Sequence, residues 1–249
     1  ELAAAKILPL LIRLTIPATA AQLVNALYSI VDRMYIGHMP GDGTLALSAI
    51  GLTYPITMLV AALSCLPGMG GAPLASIALG KGEVERAQKY LCNALTMLLT
   101  ISVIMTAGCL IFLKPLLILF GADHSTLPYA SQYLTIYLLG TVFVELSLGL
   151  NPFINTQGYT FIGTMSVVIG AVINIVLDPI LIYVLHMGVR GAAIATVTAQ
   201  LVSCVWILHF LSSSRSSIRL CAEDMRPDKE ILCTTCALGI SPCTFRVNE

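Results

Sequence analysis

Residues 22–33, QLVNALYSIVDR, carry a polar stripe through an otherwise apolar stretch. At helical spacing Gln22, Asn25, Ser29 and Asp32 fall at i, i+3, i+7 and i+10, which is one face. Leu23, Val24, Leu27, Ile30 and Val31 fill the positions between them. A carboxylate closing such a stripe is costly in lipid, and it normally faces a protein interior or a water-filled cavity. The stripe thus points to a helix inside a membrane bundle, with Asp32 as its chemically active end.

The rest of the chain agrees. Its 249 residues are 57% hydrophobic and only 10% charged, with a mean hydropathy of +0.89. That is too little charge to cover a soluble domain of this length. A net charge of zero gives no reason to expect a nucleic-acid partner. The apolar runs are long and continuous, whereas a transmembrane barrel needs short alternating segments. The fold class is an all-α polytopic membrane protein. The N-terminal run continues too far for a signal peptide, and the sequence reads as truncated at both ends. Eight cysteines are scattered along it. The Cys233-Thr-Thr-Cys236 pair lacks the further ligands of a zinc site and reads as small residues at a helix start.

Six runs are each long enough to span, given that roughly 20 residues cross the hydrocarbon core. They cover about 8–36, 45–79, 90–113, 127–154, 160–186 and 191–212. In the second, Pro55, Pro67 and the glycines Gly68, Gly70 and Gly71 predict a bent helix that runs on beyond the bilayer. The connector at 80–89, GKGEVERAQK, reads as a short polar helix, and 114–126 as a plain connector. Basic residues set the orientation. With the N-terminus cytoplasmic, Lys6, Arg13, Lys81, Arg86, Lys89, Arg215, Arg219, Arg226 and Lys229 all lie inside. The outer side keeps Arg33, Lys114 and Arg190.

Depth then sorts the acids. Asp32 and Asp178 both fall in the outer half of the bundle and could meet, while Glu145 falls in the inner half, at a rise of roughly 1.5 Å per residue. Asn174, one turn before Asp178, can hydrogen-bond its carboxyl. Two aspartates close together in poorly solvated surroundings cannot both stay ionised cheaply. Such a pair is a site for a proton or for a small cation supplied with oxygen ligands. The plainer reading has Asp178 pin a helix break at Pro179 and Asp32 pair with Arg33. Glu145, Asn151, Gln22, Asn25, Ser29 and Tyr54 are candidates for lining a cavity, and Thr196, Thr198 and Gln200 add polar atoms in the sixth run. No metalloprotease, serine-hydrolase or nucleotide-binding motif is present. The reading is therefore not an enzyme, with no cofactor and no bound metal beyond a coupling ion.

Several segments in order resemble the MATE family of multidrug and toxic-compound extrusion transporters. They are IPATAAQLVNALYSIVDRMYIGH at 16–38, GLTYPI at 51–56, NTQGYT at 155–160, NIVLDPILIY at 174–183 and GVRGAAIATVTAQ at 188–200. The likeness covers about 1–215 and lies nearest the staphylococcal-type multidrug exporters and DinF-like members. It implies one six-helix lobe of a twelve-helix transporter that exports cationic or amphipathic drugs in exchange for protons or sodium. It also implies a prokaryotic cytoplasmic membrane and a second lobe on the same chain as partner. By the same resemblance Asp32, Asn174 and Asp178 form the cation site, with Thr196 or Thr198 contributing, and Pro17 is the bending point of the first helix. The expected domains are a lobe at 1–212, a cytoplasmic linker at 213–230 and the start of a seventh helix at 231–249. LGISPCTFRVN at 238–248 echoes LTIPATAAQLVN at 14–25, as parallel lobe repeats would. The competing readings are a lipid-linked oligosaccharide flippase of the same broad superfamily and a non-transporting truncated module. A flippase would line its cavity with basic residues, and the spans hold almost none beyond Arg13.

Overall fold

The computed structural model describes residues 7–221 and 225–247; the side chains of residues 7–14, 17, 18 and 247 lie outside the description. Every regular element among the described residues is a helix. In chain order these are α1 (Ile7–Gly37), α2 (Gly43–Gly80), α3 (Val84–Ile111), α4 (Leu113–Leu119), α5 (Leu127–Leu139), α6 (Thr141–Thr156), α7 (Thr160–Pro179, continued by a π-helical turn over Ile180–Val184), α8 (Val189–Ser212) and α9 (Lys229–Val247). Helices are the expected solution here, because lipid offers no water to satisfy an open backbone.

Helices α2, α3, α7 with its π turn, and α8 are each long and apolar enough to cross a membrane. Helices α5 and α6 are together long and apolar enough for a fifth, with a bend of 56° between them. The 31 residues of α1 give it the length of a sixth.

Three local expectations need correction. The fourth run is an elbow at Gly140 rather than one straight span, and a Cβ there would stand 2.5 Å from the Val197 side chain. The missing side chain is what lets the elbow close on α8. The connector at 80–89 is not a separate polar helix. Gly80 ends α2, Gly82 turns the chain with φ of +80°, and Val84 already starts α3. Nothing from Val84 onward breaks that helix. The connector at 114–126 contains α4, whose Leu113 and Leu117 are buried against α2, α3 and α5.

Helix α2 remains one continuous helix of 38 residues through Pro55, Pro67 and Pro73. Its glycines serve close approach. A Cβ on Gly68 would fall 2.6 Å from the carbonyl oxygen of Gly149 in α6, and one on Gly70 would fall 2.2 Å from that of Thr235 in α9. Small residues at crossings are how helices pack in lipid, where apolar burial supplies no driving force. Helix α2 therefore sits at the centre, against α1, α3, α5, α6 and α9. Phe153, Leu91, Leu98, Leu150 and Ile207 fill the largest core cluster, between α2, α3, α6 and α8. Helix α1 lies on the outside of the bundle, chiefly against α7.

Candidate functional site

The contact between α1 and α7 creates the site. Asp32 is on α1 and Asp178 on α7, and the two carboxyls come within hydrogen-bond range of each other. Two carboxyls can do this only by sharing a proton or by holding a cation between them. Asp178 is fully buried. Asn174, one turn earlier and also buried, donates from Nδ2 to Asp178 Oδ1 at 3.4 Å. Asp32 Oδ1, Asp178 Oδ2 and Asn174 Oδ1 are buried with no protein hydrogen-bond partner. Three acceptor oxygens of this group thus lack protein donors, which suits a proton or a small hard cation.

Pro179 accounts for the local backbone. It lacks the N–H that would continue the ladder of α7. Beyond it the chain widens into a π turn, with the Leu185 N–H donating to the Ile180 carbonyl at 2.9 Å. Such single wide turns are frequent at functional sites. The turn is tied to α1 by Tyr183, whose hydroxyl donates to the Tyr35 carbonyl at 2.6 Å.

A cavity of about 190 Å³ lies beside the acid pair. Gln22, Asn25, Tyr28, Asn151, Asn174 and Thr196 are among its lining residues, together with Arg246 from α9. Asn174 therefore belongs to both places, lining the cavity and bonding Asp178. The polar stripe on α1 divides along its length: Gln22 and Asn25 face the cavity, while Asp32 meets Asp178. Ser29 does not line the cavity and donates back to the Asn25 carbonyl at 3.0 Å.

The other expected residues sort as follows. Thr196 borders the cavity, within hydrogen-bond range of Tyr133, which itself lies near Asp32. Thr198, two residues on, is on a different face of α8 and does not border it. Tyr54 is not a lining residue either; it is exposed, and the Arg33 guanidinium sits 5.8 Å from its ring centroid. Arg33 is thus occupied by Tyr54 as well as lying next to Asp32. Glu145 is fully buried and does not reach the cavity. Asn151 lines the cavity and donates to Ser166 Oγ at 2.7 Å and to the Gly163 carbonyl at 2.9 Å. The side chain of Pro17 lies outside the described residues.

Some residues at the site carried no distinguishing signal. Ser147, Ser166 and Ser203 border the cavity, and a serine in an apolar run usually signals packing. The Ser147 hydroxyl contacts Gln200 Oε1 at 2.5 Å. Tyr133 and Tyr137, stacked with centroids 6.3 Å apart, carry nothing in the sequence that separates an interfacial tyrosine from a cavity-lining one. Their i, i+4 spacing was the one clue.

Residues 17–180 match the MatE family model. The chain belongs to the MatE family. Over 226 residues this MatE-family chain is 28% identical to a protein of Staphylococcus haemolyticus named multidrug export protein MepA, covering 91% of the chain and 50% of that relative. Over 197 residues it is 28% identical to the FAD transporter of Shewanella oneidensis, covering 78% and 43% respectively. A solved multidrug-resistance MATE transporter in the outward-facing conformation superposes with a TM-score of 0.88 at 26% identity, over 95% of this chain and 52% of that one. The chain spans about half the length of the relatives it matches. Its helices therefore form one lobe of the MATE fold in a multi-pass membrane protein.

Proposed function

We propose that this chain is the N-terminal six-helix lobe of a proton- or sodium-coupled antiporter that exports cationic or amphipathic compounds across a prokaryotic cytoplasmic membrane, with the N-terminus inside. The observation that carries the reading is the meeting of half-buried Asp32 with fully buried Asp178, with acceptor oxygens left unpartnered, behind an asparagine that lines the cavity. A proton or sodium ion bound there neutralises the pair. The neutral and charged forms then favour different packings of α1 on α7, and the ion shifts the balance between them. Pro17 is the hinge this reading assigns to α1. Thr196 and Tyr133 complete the wall next to Asp32. No organic cofactor is invoked.

The size of the cavity supports a partner lobe. Drug-sized sites run to roughly 300–1,000 Å³, and about 190 Å³ is one wall of such a space. Segment 213–230 serves as the inter-lobe linker and α9 as the first helix of the second lobe. The names of the relatives support small organic substrates. The absence of basic side chains among the lining residues other than Arg246 speaks against a pyrophosphate cargo.

The test uses the full-length protein in cells lacking other exporters. Asp32→Asn and Asp178→Asn should each abolish efflux of a lipophilic cation at unchanged expression. Wild-type resistance in both variants overturns the reading. Dissipating the proton and the sodium gradients separately identifies the coupling ion.

A further inference from the structure

Glu145 is the third acid of the bundle, and the Asp32–Asp178 pair does not use it. It stands on α6 fully buried, and neither carboxyl oxygen has a protein hydrogen-bond partner. On the α2 and α3 sides its surroundings are closely packed. One turn on, a Cβ at Gly149 would stand 2.5 Å from Leu98 of α3, and the Gly149 backbone is itself pressed against Gly68 of α2. The titratable groups that face Glu145 are Cys65 of α2, Tyr137 of α5 and Cys243 of α9. Helix α3 meets this part of α6 with Leu98, α8 with Gln200 through Ser147, and α7 with Ser166 through Asn151. None of those can carry charge.

Helix α9 brings a cation to the same cysteine that faces Glu145. The Arg246 guanidinium is within hydrogen-bond range of Cys65, so a single cysteine relates it to Glu145. Its Nε is buried without a partner. The ion pairs among the described residues both belong to Arg86, so Arg246 is salt-bridged to neither acid site. On its other side Arg246 borders the cavity and acts on Tyr28, which in turn lies near Asp32 and Asp178. One guanidinium without an acid partner thus borders the cavity and meets the cysteine that faces Glu145.

An ionised carboxylate with no donor is a poor state for an apolar interior, and the neutral acid is tolerable there. An Arg side chain is always charged and seeks acceptors. The pair therefore has two self-consistent arrangements. In one, Glu145 holds a proton and Arg246 stays at the cavity. In the other, Glu145 is ionised and Arg246 pairs with it.

We propose that Glu145 is a second proton-binding site of this protein, with Arg246 as its switchable counter-charge at the α2–α6–α9 junction. When Glu145 releases its proton to solvent, the Arg246 guanidinium moves past Cys65 onto the carboxylate and leaves the cavity. When the proton returns, the guanidinium goes back. On the exporter reading, which this consequence rests on, a reloaded Glu145 returns a positive charge to the cavity and disfavours a bound cation. The ligand of the site is the proton, and no metal is required.

Infrared difference spectroscopy on the full-length protein in nanodiscs tests the site directly across a pH titration. One carbonyl-stretch component of a protonated carboxyl, shifted in heavy water, should vanish in Glu145→Gln and persist in the Asp32→Asn, Asp178→Asn double variant. Arg246→Gln should move the titration of that component by about tenfold or more in proton concentration, as expected for losing an opposite charge within a few ångströms. Binding of tetraphenylphosphonium should lose one step of its pH dependence in Glu145→Gln and in Arg246→Gln, with no further change on combining them. Glu145→Asp, which keeps the acid, should restore the step if Glu145→Gln proves unstable. A spectrum of Glu145→Gln identical to wild type overturns the proposal, as does a component that Arg246→Gln leaves unmoved. A wild-type protein that binds no lipophilic cation counts against the exporter reading alone, since the infrared result decides the proton site independently.

Discussion

The segment between α8 and α9 and the acids inside the bundle are both polar structures against an apolar wall, and they are built on opposite terms. In the first, donors and acceptors match. Gln157 Oε1 accepts from the Ser216 hydroxyl at 3.0 Å and from the N–H groups of Ser217 and Ile218 at 2.7 and 3.4 Å. Along α3, Thr96 donates to the Met225 carbonyl at 3.1 Å, and Asn93 Oδ1 accepts from the Asp228 N–H at 2.9 Å. Ile218 then plugs into the largest core cluster, fully buried. Among the acids, Asp32 Oδ1, Asp178 Oδ2 and both Glu145 carboxyl oxygens lack protein hydrogen-bond partners. A buried polar group left without its partner costs stability. The segment between α8 and α9 thus uses its polar atoms to hold the chain in place, while the acids leave some of theirs unmatched.

That contrast can be broken by substitution. The largest effect is expected at the acid pair: Asp178→Asn in the full-length protein should reduce efflux to background, with a melting temperature at or above that of wild type. A clear loss of thermal stability would mean that Asp178 is structural after all. Next comes the α2–α9 crossing. Gly70→Val places side-chain atoms where a Cβ would already stand 2.2 Å from the Thr235 carbonyl. Overpacking of this kind costs about 1–3 kcal/mol, visible as a lower melting temperature in the purified protein.

Gln157→Ala should do the reverse of Asp178→Asn. Losing the shared acceptor for three donors costs about 1–3 kcal/mol. It should expose segment 213–228 to protease while efflux falls no further than folded protein does. Complete loss of efflux at unchanged stability would erase the distinction between the two regions.

The smallest effect lies at the turn before α5. Hydrogen bonds from the Ser125 hydroxyl and from the N–H and hydroxyl of Thr126 hold the Asp123 carboxyl well below the usual carboxylate range. A carboxyl lowered by folding stabilises the protein above its unfolded value of about 3.9, and the contribution fades as pH falls toward the folded value. Asp123→Asn should therefore lower thermal stability slightly at neutral pH. The difference from wild type should shrink in buffers below about pH 4. A difference that is constant with pH would show that the carboxylate charge is irrelevant at this solvent-facing turn.

How much of this was legible varies by residue. The helices were readable because a membrane leaves few alternatives for a long apolar run. Asp32 and Asp178 stood out because acids in such runs are rare and expensive. Asn174 followed from its spacing to Asp178. Thr196 and Thr198 could not be separated, since nothing in GAAIATVTAQ says which face of α8 turns inward. Tyr54 was misplaced because its neighbour across the bundle, Arg33, lies on another helix. The elbow at Gly140 was invisible because a glycine in an apolar run marks a break, a close crossing or neither, depending on what packs there. Only Val197, far along the chain, decides it. The close-contact role of Gly68 and Gly70 was not legible for the same reason: bending is a local inference, and contact with Gly149 and Thr235 is not a local fact.

By itself the sequence determined that this is a helical membrane protein, roughly where its spans run, and which carboxyls are too costly to be accidental. Those properties follow from composition and periodicity, which act within a single helix. Tertiary structure decided that Asp32 meets Asp178, that Gln22 and Asn25 part company with Ser29, and that α9 brings Arg246 to the cavity. It also left Glu145 alone in the core. Each of these depends on which helix faces which and at what distance, and burial and hydrogen-bonding acquire their energies only there.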